Sequence, residues 1–321
     1  MGIFRNNDWW LERKRDYQQD PAPYQIGGFV VGMGIVVVVA YFVISSLQPD
    51  YSESFDTTGE DYQLGPRNAQ LADEDLNPLS AAQSVVERRR QMQTLVERVY
   101  QAAGGKVALE EMRSIRKNGT LEQGDEVLEV SYQYKRPQML RFTVSLPDGS
   151  LRMGYNGQEA WQQYVIRGRN LPPQPLPENE AHMIAGNVEL VTPLTAYFDS
   201  WDDLSWQESA TVGDREAYVV RYLGSHHPRQ TFYIDKQTYY VLRREREHIN
   251  AQGKAQEVAV VLGNYQQVNG LYLPLEETVL IDGVQANRFE IESIEPNVGL
   301  PDSFFSPNPA DIDVREALEG Q

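Results

Sequence analysis

The chain contains no cysteine among its 321 residues. This absence excludes disulfide bonds, thiolate catalysis and cysteine-ligated metal sites together. Histidine is also scarce, and none of the four histidines forms an HxxxH or HExxH spacing: His182, His226, His227 and His248. A metal site would therefore have to be assembled from distant strands. The sequence predicts no metal and no other cofactor.

Signatures of catalysis are missing as well. The chain has no GxSxG nucleophile turn, no phosphate-binding loop and no dinucleotide fingerprint outside one apolar stretch. Asp202 and Asp203 in SWDDLSW are adjacent carboxylates of the kind used in acid–base catalysis. The simpler interpretation is that one of them ends a helix, with Trp201 and Trp206 packed nearby. We therefore predict a protein that is not an enzyme and has no catalytic residues.

Positive charge is in deficit. The chain has 29 Lys and Arg against 46 Asp and Glu, a net charge of -17 at pH 7. Residues 1–47 are balanced, with four basic and four acidic side chains, so the remainder carries 25 basic against 42 acidic side chains. A surface so acidic repels phosphate backbones and anionic lipid headgroups. We predict no nucleic-acid partner.

The long apolar stretch is residues 26–47, IGGFVVGMGIVVVVAYFVISSL, which contain no charge. As a helix it would extend about 33 Å, enough to cross a hydrocarbon core of about 30 Å. A cleaved signal peptide is disfavoured by the long preceding region and the lack of an A-x-A-like site. Four basic residues precede the stretch, but only Arg67 occurs among the next twenty residues. The sequence thus predicts a single-pass protein of the bacterial inner membrane with a cytoplasmic N-terminus.

Within this predicted span, Gly28 and Gly32 form a small-xxx-small pattern. Such a pattern allows a second helix to approach closely, so these two glycines are a candidate helix–helix contact. The alternative is that glycine is simply common in membrane helices. If the contact exists, the partners would be other inner-membrane subunits.

The remaining composition divides the chain into five parts. Residues 1–25 form a cytoplasmic tail and residues 26–47 the membrane span. Residues 48–80 are polar, acidic and without apolar periodicity, as is typical of a linker. Residues 81–310 form one periplasmic domain, and residues 311–321 form a C-terminal tail.

Apolar periodicity predicts an α+β fold for the periplasmic domain. Apolar residues recur every three or four positions from Ser80 until Gly104 and Gly105, which indicates a helix with a glycine stop. From Ser114 onward the period is two, interrupted by turn dipeptides, as is typical of an antiparallel meander. We predict twelve strands, including a single strand at residues 204–212.

Two segments interrupt this meander. Residues 168–180 are rich in proline, which predicts a loop or lid that does not pair with the sheet. Residues 181–197 have the spacing of a helix. A long antiparallel sheet with helices at its start and middle would curve around them as a half-barrel.

Four motifs carry a family resemblance. They are LVERVYQAAGGKVALEEMRSIRKNGTL, YNGQEAWQ, FYIDKQTYYVLRRERE and FEIESIEPNVGLPDSFFSPN. In this order they resemble the outer-membrane lipoprotein carrier (LolA/LolB-like) superfamily over residues 90–308. The resemblance implies an incomplete antiparallel barrel of about eleven strands with a helical lid. In that superfamily the barrel encloses an apolar cavity for acyl chains or other hydrophobic ligands.

The resemblance leads to a functional hypothesis and an alternative. The hypothesis is a non-enzymatic, membrane-anchored module that binds a lipid, a lipoprotein acyl chain or another hydrophobic ligand. The alternative is an accessory subunit of a large inner-membrane complex, whether respiratory, photosynthetic or secretory, that uses the fold as a protein-binding scaffold. The candidate cavity residues, which could also be ordinary core, are Phe142, Trp161, Tyr164, Tyr222, Phe232 and Leu262 from strands, and Met183, Ile184 and Leu194 from the lid.

Overall fold

A computed structural model describes residues 85–124, 126–176, 197, 201–225, 229–249 and 255–311. Among these residues no helix is both long enough and apolar enough to cross a bilayer. The predicted membrane span, the linker and nearly all of the predicted helix at residues 181–197 lie outside the described residues. The five-part division of the chain therefore stays a prediction.

The helices within the described residues include α1 (Val85–Ala102), α2 (Lys106–Glu111) and the 3-10 helix η1 (Asp302–Phe305). The predicted first helix is confirmed, because the buried residues of α1 follow its period: Met92, Leu95, Val96, Val99 and Ala102. Gly104 and Gly105, with φ angles of 112° and 98°, separate α1 from α2. Other residues rarely adopt such angles, which explains the glycine stop.

Fifteen antiparallel strands form one sheet, in the order β6-β5-β4-β3-β2-β1-β15-β14-β13-β12-β11-β10-β8. The first and last long strands, β1 and β15, are thus neighbours at its centre. The strands are β1 Ser114–Gln123, β2 Glu126–Lys135, β3 Met139–Leu146, β4 Gly149–Tyr155, β5 Ala160–Ile166, β6 Arg169–Asn170, β7 Gln174–Pro175, β8 Leu204–Trp206, β9 Ala210–Val212, β10 Arg215–Tyr222, β11 Thr231–Asp235, β12 Val241–Ile249, β13 Ala255–Val268, β14 Leu271–Ile281 and β15 Val284–Pro296.

The predicted long strands are confirmed, but the short ones were missed. The sheet has fifteen strands rather than about eleven, because four short strands lie at its two edges. The single strand predicted at residues 204–212 is divided into β8 and β9. The prediction that the proline-rich segment does not pair was wrong, since β6 and β7 both pair with β5. An outermost strand needs only some of its amides, so it tolerates proline.

Short segments cover both edges of the sheet along their length. At one edge, β6 and β7 pair with the two ends of β5, and backbone hydrogen bonds from Leu171 N to Tyr164 O and from Leu176 N to Ala160 O complete the pairing. At the other edge, β8 and β9 pair with the two ends of β10, and Gln207 N donates to Val219 O between them.

One face of the sheet, which we call the helix face, carries the three largest apolar clusters of the described residues. The helix cluster joins α1 to β10–β13 through residues that include Leu95, Val99, Tyr222, Phe232 and Leu262. A smaller cluster packs Leu109 of α2 against Ile115, Tyr134, Leu271 and Leu273. The strand cluster consists of Leu121, Val130, Phe142, Val144, Leu151, Met153, Phe289 and Ile291.

The opposite face, which we call the strap face, is crossed by residues 298–311, which we call the strap. The strap runs over β1–β5 and is held mainly by its backbone carbonyls. Side chains of the sheet donate five hydrogen bonds to strap carbonyls: Ser114 Oγ to Val298 O (2.5 Å), Lys135 Nζ to Leu300 O (2.7 Å), Arg141 Nη1 to Phe304 O (2.7 Å), Trp161 Nε1 to Phe305 O (2.8 Å) and Gln163 Nε2 to Asn308 O (2.8 Å).

Candidate functional site

The strand cluster is the candidate site. All of its residues within the described chain lie in β1–β4 and β15, whereas α1 and α2 contribute to the helix cluster and to the smaller cluster around Leu109. The strand register explains its composition, because Phe142 pairs with Met153 and Val144 with Leu151 across β3 and β4. Partly exposed residues surround it: Leu128, Tyr132, Leu146, Tyr164, Leu275 and Ile294. The cluster itself is buried, with no member more than 8% exposed, and only its margin is partly exposed.

The helix cluster, by contrast, is filled by its own side chains. The ring of Tyr197 lies 4.7 Å from that of Tyr222 and 5.1 Å from that of Phe232, centroid to centroid. Tyr240 and Tyr265 stack at 4.3 Å. These distances are typical of aromatic core packing. The part of the helix face beneath α1 is thus a closed core.

The structure separates the predicted cavity residues into groups. Phe142 belongs to the strand cluster and Tyr164 packs against it. Tyr222, Phe232 and Leu262 belong to the helix cluster. The other predicted lid and helix-contact residues lie outside the described residues: Met183, Ile184, Leu194, Gly28 and Gly32.

Trp161 does not lie with the other predicted residues. It is on the strap face, where its Nε1 donates to Phe305 O over 2.8 Å, and only 3% of it is exposed. Trp161 and Tyr164 are three positions apart in one strand, so their side chains point to opposite faces. This alternation was visible in the sequence and could have excluded Trp161 from a surface shared with Tyr164.

A charged pair lies on the helix face between the two larger clusters. Lys117 Nζ on β1 lies 2.6 Å from Glu277 Oε1 on β14. Burial alone would raise the pKa of Glu277, but the charge and hydrogen bond of Lys117, together with Arg244, hold it below its ordinary value. Sequence reasoning missed this pair because its members are 160 positions apart.

The lowered pKa of Glu277 predicts a pH-dependent contribution to stability. A carboxylate with a folded-state pKa below its unfolded value stabilises the fold above that unfolded value, and the contribution is lost as the pH falls through the folded pKa. The midpoint of thermal unfolding of Glu277→Gln should therefore lie well below that of the wild type at pH 7 and closer to it at pH 3. Glu295→Gln, which removes a half-exposed ion pair with Arg116, serves as the control and should shift the midpoint little. An equal deficit of Glu277→Gln at both pH values would contradict the prediction.

On the strap face, a buried arginine anchors the strap. Arg141 is 7% exposed, and its guanidinium lies 4.5 Å from the Phe304 ring centroid and donates to Phe304 O. Burial, with a smaller effect of Arg152, lowers the pKa of Arg141 to about 10. The side chain thus stays charged at neutral pH and binds the strap through a carbonyl and an aromatic ring.

Replacing Arg141 with methionine should loosen the strap. The variant loses a charge-assisted hydrogen bond and a cation–π contact, so we expect the free energy of unfolding to fall by about 1–3 kcal/mol. Hydrogen exchange of the amides in residues 298–311 should accelerate at the same time. Arg152→Met is the control, since Arg152 Nη1 contacts Asn170 instead. Unchanged exchange in the strap of Arg141→Met would contradict this role.

The other candidates have structural roles. Asp202 Oδ2 lies 2.5 Å from Arg89 Nη2 of α1, and both side chains are more than half exposed. Trp206 Nε1 donates to Arg88 O of the same helix. These contacts attach the SWDDLSW segment to α1. That Asp202 or Asp203 ends the helix at residues 181–197 stays a prediction, because nearly all of that helix lies outside the described residues. Over the described ranges no three His, Cys, Asp or Glu residues are grouped as metal ligands would be.

Comparison with known proteins gives similarity at the level of fold. No family model matches the chain, and no curated protein matches it. Among solved structures it is similar to a LolA superfamily protein from Nitrosomonas europaea, with 11% identity and a TM-score of 0.44 over 67% of this chain and 97% of that one. It is also similar to an outer membrane lipoprotein-sorting protein domain from Vibrio parahaemolyticus, with 9% identity and a TM-score of 0.38 over 72% and 99%.

A third similar structure is that of MucB from Pseudomonas aeruginosa in complex with MucA, with 12% identity and a TM-score of 0.20 over 68% of this chain and 61% of that one. The similarity to the LolA superfamily, to lipoprotein-sorting domains and to MucB extends over most of the described chain.

Proposed function

We propose that the chain is a membrane-anchored, non-enzymatic module of the bacterial periplasm that binds a hydrophobic ligand on the strand cluster. The observation that carries the proposal is the difference between the clusters of the helix face. One is filled by α1 and aromatic side chains, whereas no described helix contributes a residue to the strand cluster. In this proposal the sheet curves as a half-barrel, and an acyl chain of a lipid or lipoprotein lies along Phe142 and Tyr164.

Burial of an acyl chain against such a surface would be favourable. Removing apolar surface from water contributes about 25 cal/mol per Å², or about 0.8 kcal/mol per methylene. Burial also raises the pKa of Tyr164, so its neutral hydroxyl can lie at the margin without introducing a charge. Met183, Ile184 and Leu194 are proposed to cover the ligand from the lid side.

The test is binding of a neutral fluorescent apolar probe, N-phenyl-1-naphthylamine, to the full chain in amphipol. We expect saturable binding that Leu128→Gln weakens about tenfold, since losing one leucine contact costs about 1.5 kcal/mol. Val127→Gln is the control, because Val127 is the preceding residue of β2, points to the opposite face and is 64% exposed. No saturable binding, or equal effects of the two substitutions, would refute the proposal.

The proposed membrane topology can be tested directly because the chain is free of cysteine. A single cysteine introduced as Val127→Cys should react with a membrane-impermeant maleimide added to intact spheroplasts. A cysteine introduced as Gln18→Cys in the N-terminal tail should react only after the membrane is broken. Reaction of Gln18→Cys in intact spheroplasts would contradict a cytoplasmic N-terminus.

The alternative of an accessory subunit is favoured by one observation, the filled helix cluster, because a closed core is suited to a scaffold. In that case Gly28 and Gly32 would contact another inner-membrane subunit. Native mass spectrometry after mild extraction separates the two functions. Recovery of the chain by itself with a bound lipid supports the binding module. Recovery of the chain at a fixed stoichiometry with other membrane subunits supports the scaffold.

A further inference from the structure

We infer that the ligand of the strand cluster carries a hydrogen-bond-accepting oxygen at the end of its apolar chain, and that Lys117 Nζ binds this oxygen. The inference rests on the proposed function and specifies its ligand as an acyl carboxylate or acyl ester.

The first observation that supports this inference is the position of the Lys117–Glu277 pair. Lys117 lies directly opposite Tyr132 on β2 and Ile294 on β15, which both pack against the strand cluster. Glu277 lies opposite Phe289 of the strand cluster on one side and opposite Leu262 of the helix cluster on the other. The pair therefore marks the point where the strand cluster meets the filled core. An acyl chain lying on the strand cluster would place its polar end there.

The second observation that supports the inference is the accessibility of the Lys117–Glu277 pair. The side chains of Lys117 and Glu277 are 15% and 21% exposed, so they are screened from bulk water but can be reached. An ammonium group has three donors, and Glu277 accepts one of them. A charge pair in an apolar surface is costly, and apolar residues of similar size would often stabilise the fold as well or better. Ligand recognition explains why a charged pair is found at this boundary.

A second donor lies on the same face. Asn287 on β15 is two positions from Phe289 and is 2% exposed, and its Nδ2 has no hydrogen-bond partner within the described part of the chain. A buried amide donor without an acceptor is unfavourable. Lys117 and Asn287 both donate, but the strand register puts them about six positions, or roughly 20 Å, apart along the sheet, so only Lys117 is assigned to the terminal oxygen.

The experiment measures displacement of N-phenyl-1-naphthylamine from the full chain in amphipol by three competitors: dodecanoic acid, methyl dodecanoate and dodecane. Loss of one charge-assisted hydrogen bond corresponds to about a tenfold loss of affinity or more. We therefore expect Lys117→Met to weaken binding of the acid, of the ester or of both at least tenfold, and to weaken binding of dodecane less than twofold. Weakening of the acid alone identifies a free carboxylate as the ligand group, and weakening of both includes the acyl ester.

Two further variants keep the test valid if Lys117→Met unfolds. Lys117→Met combined with Glu277→Leu removes both charges together and should show the same selective loss. Lys117→Arg should retain binding of the oxygen-containing competitors within threefold. The inference is overturned, while the apolar site stays intact, if Lys117→Met weakens dodecane binding as much as binding of the acid and ester. It is also overturned if binding of the acid and ester is not weakened. If the wild type binds none of the competitors and no probe, the proposed function fails as well.

Discussion

Gly104→Ala should destabilise the folded domain by about 2–5 kcal/mol, because a Cβ at this position would meet backbone atoms that cannot move aside. It would lie 2.3 Å from Gly270 O and 3.0 Å from Leu271 Cα, and the φ angle of 112° adds strain of about 1–2 kcal/mol. Overpacking of this kind costs typically about 1–3 kcal/mol more. Urea unfolding monitored by circular dichroism measures the change.

Gly105→Ala is the matched control for Gly104→Ala. Its φ angle of 98° is similarly strained, but no atom lies within 4 Å of the added Cβ. The difference between the two variants thus isolates the contact between the end of α1 and the β13–β14 turn, where Tyr272 N also donates to Ala103 O. Equal losses of stability in both variants would show that this contact does not restrict the position.

Asp235→Ala is the second substitution for which a large effect is expected, a loss of about 3–5 kcal/mol in the free energy of unfolding. Asp235 Oδ2 lies 2.8 Å from Arg215 Nη1, and the two side chains are 2% and 8% exposed. Removing the carboxylate leaves a buried guanidinium without its closest charge partner. It also removes the acceptor for the backbone N–H of Gln237.

The same two strands provide the control for Asp235→Ala. Glu216 and Lys236 follow Arg215 and Asp235 directly in sequence and form an ion pair of 3.4 Å, in which the Glu216 side chain is 77% exposed. Glu216→Ala should cost less than about 1 kcal/mol, as exposed pairs do. If the two variants differ by less than 1 kcal/mol, the buried pair does not stabilise the fold as we expect.

The sequence predicted those features whose causes are local. The β13–β14 and β14–β15 hairpins were placed from the dipeptides Asn269-Gly270 and Asp282-Gly283, and all four residues have positive φ angles in the structure. Such angles are the requirement of tight hairpin turns, and Asn, Asp and Gly meet it at low cost. The α1 helix was likewise placed from its own periodicity and glycine stop. These signals need no knowledge of distant residues.

Features that depend on distant segments were not predicted. The strap binds Trp161 from a position 144 residues later in the chain, and nothing near YNGQEAWQ indicates it. Lys117 of β1 and Glu277 of β14 are separated by twelve intervening strands in sequence, so only the closure of β1 onto β15 brings them together. The short strands β6 and β7 were missed, and β8 and β9 were predicted as one strand, because two or three residues are too few to show a period.

The covered edges of the sheet restrict how a protein partner can be bound. A peptide that adds itself to a sheet needs a free row of backbone donors and acceptors. Along β5 and β10 that row is already used by segments of the same chain. Among the described strands, only the two- and three-residue strands β6–β9 are outermost. A partner protein or a second copy of the domain therefore cannot pair with β5 or β10 along their length, and we expect partners to be recognised mainly by side chains on the faces of the sheet.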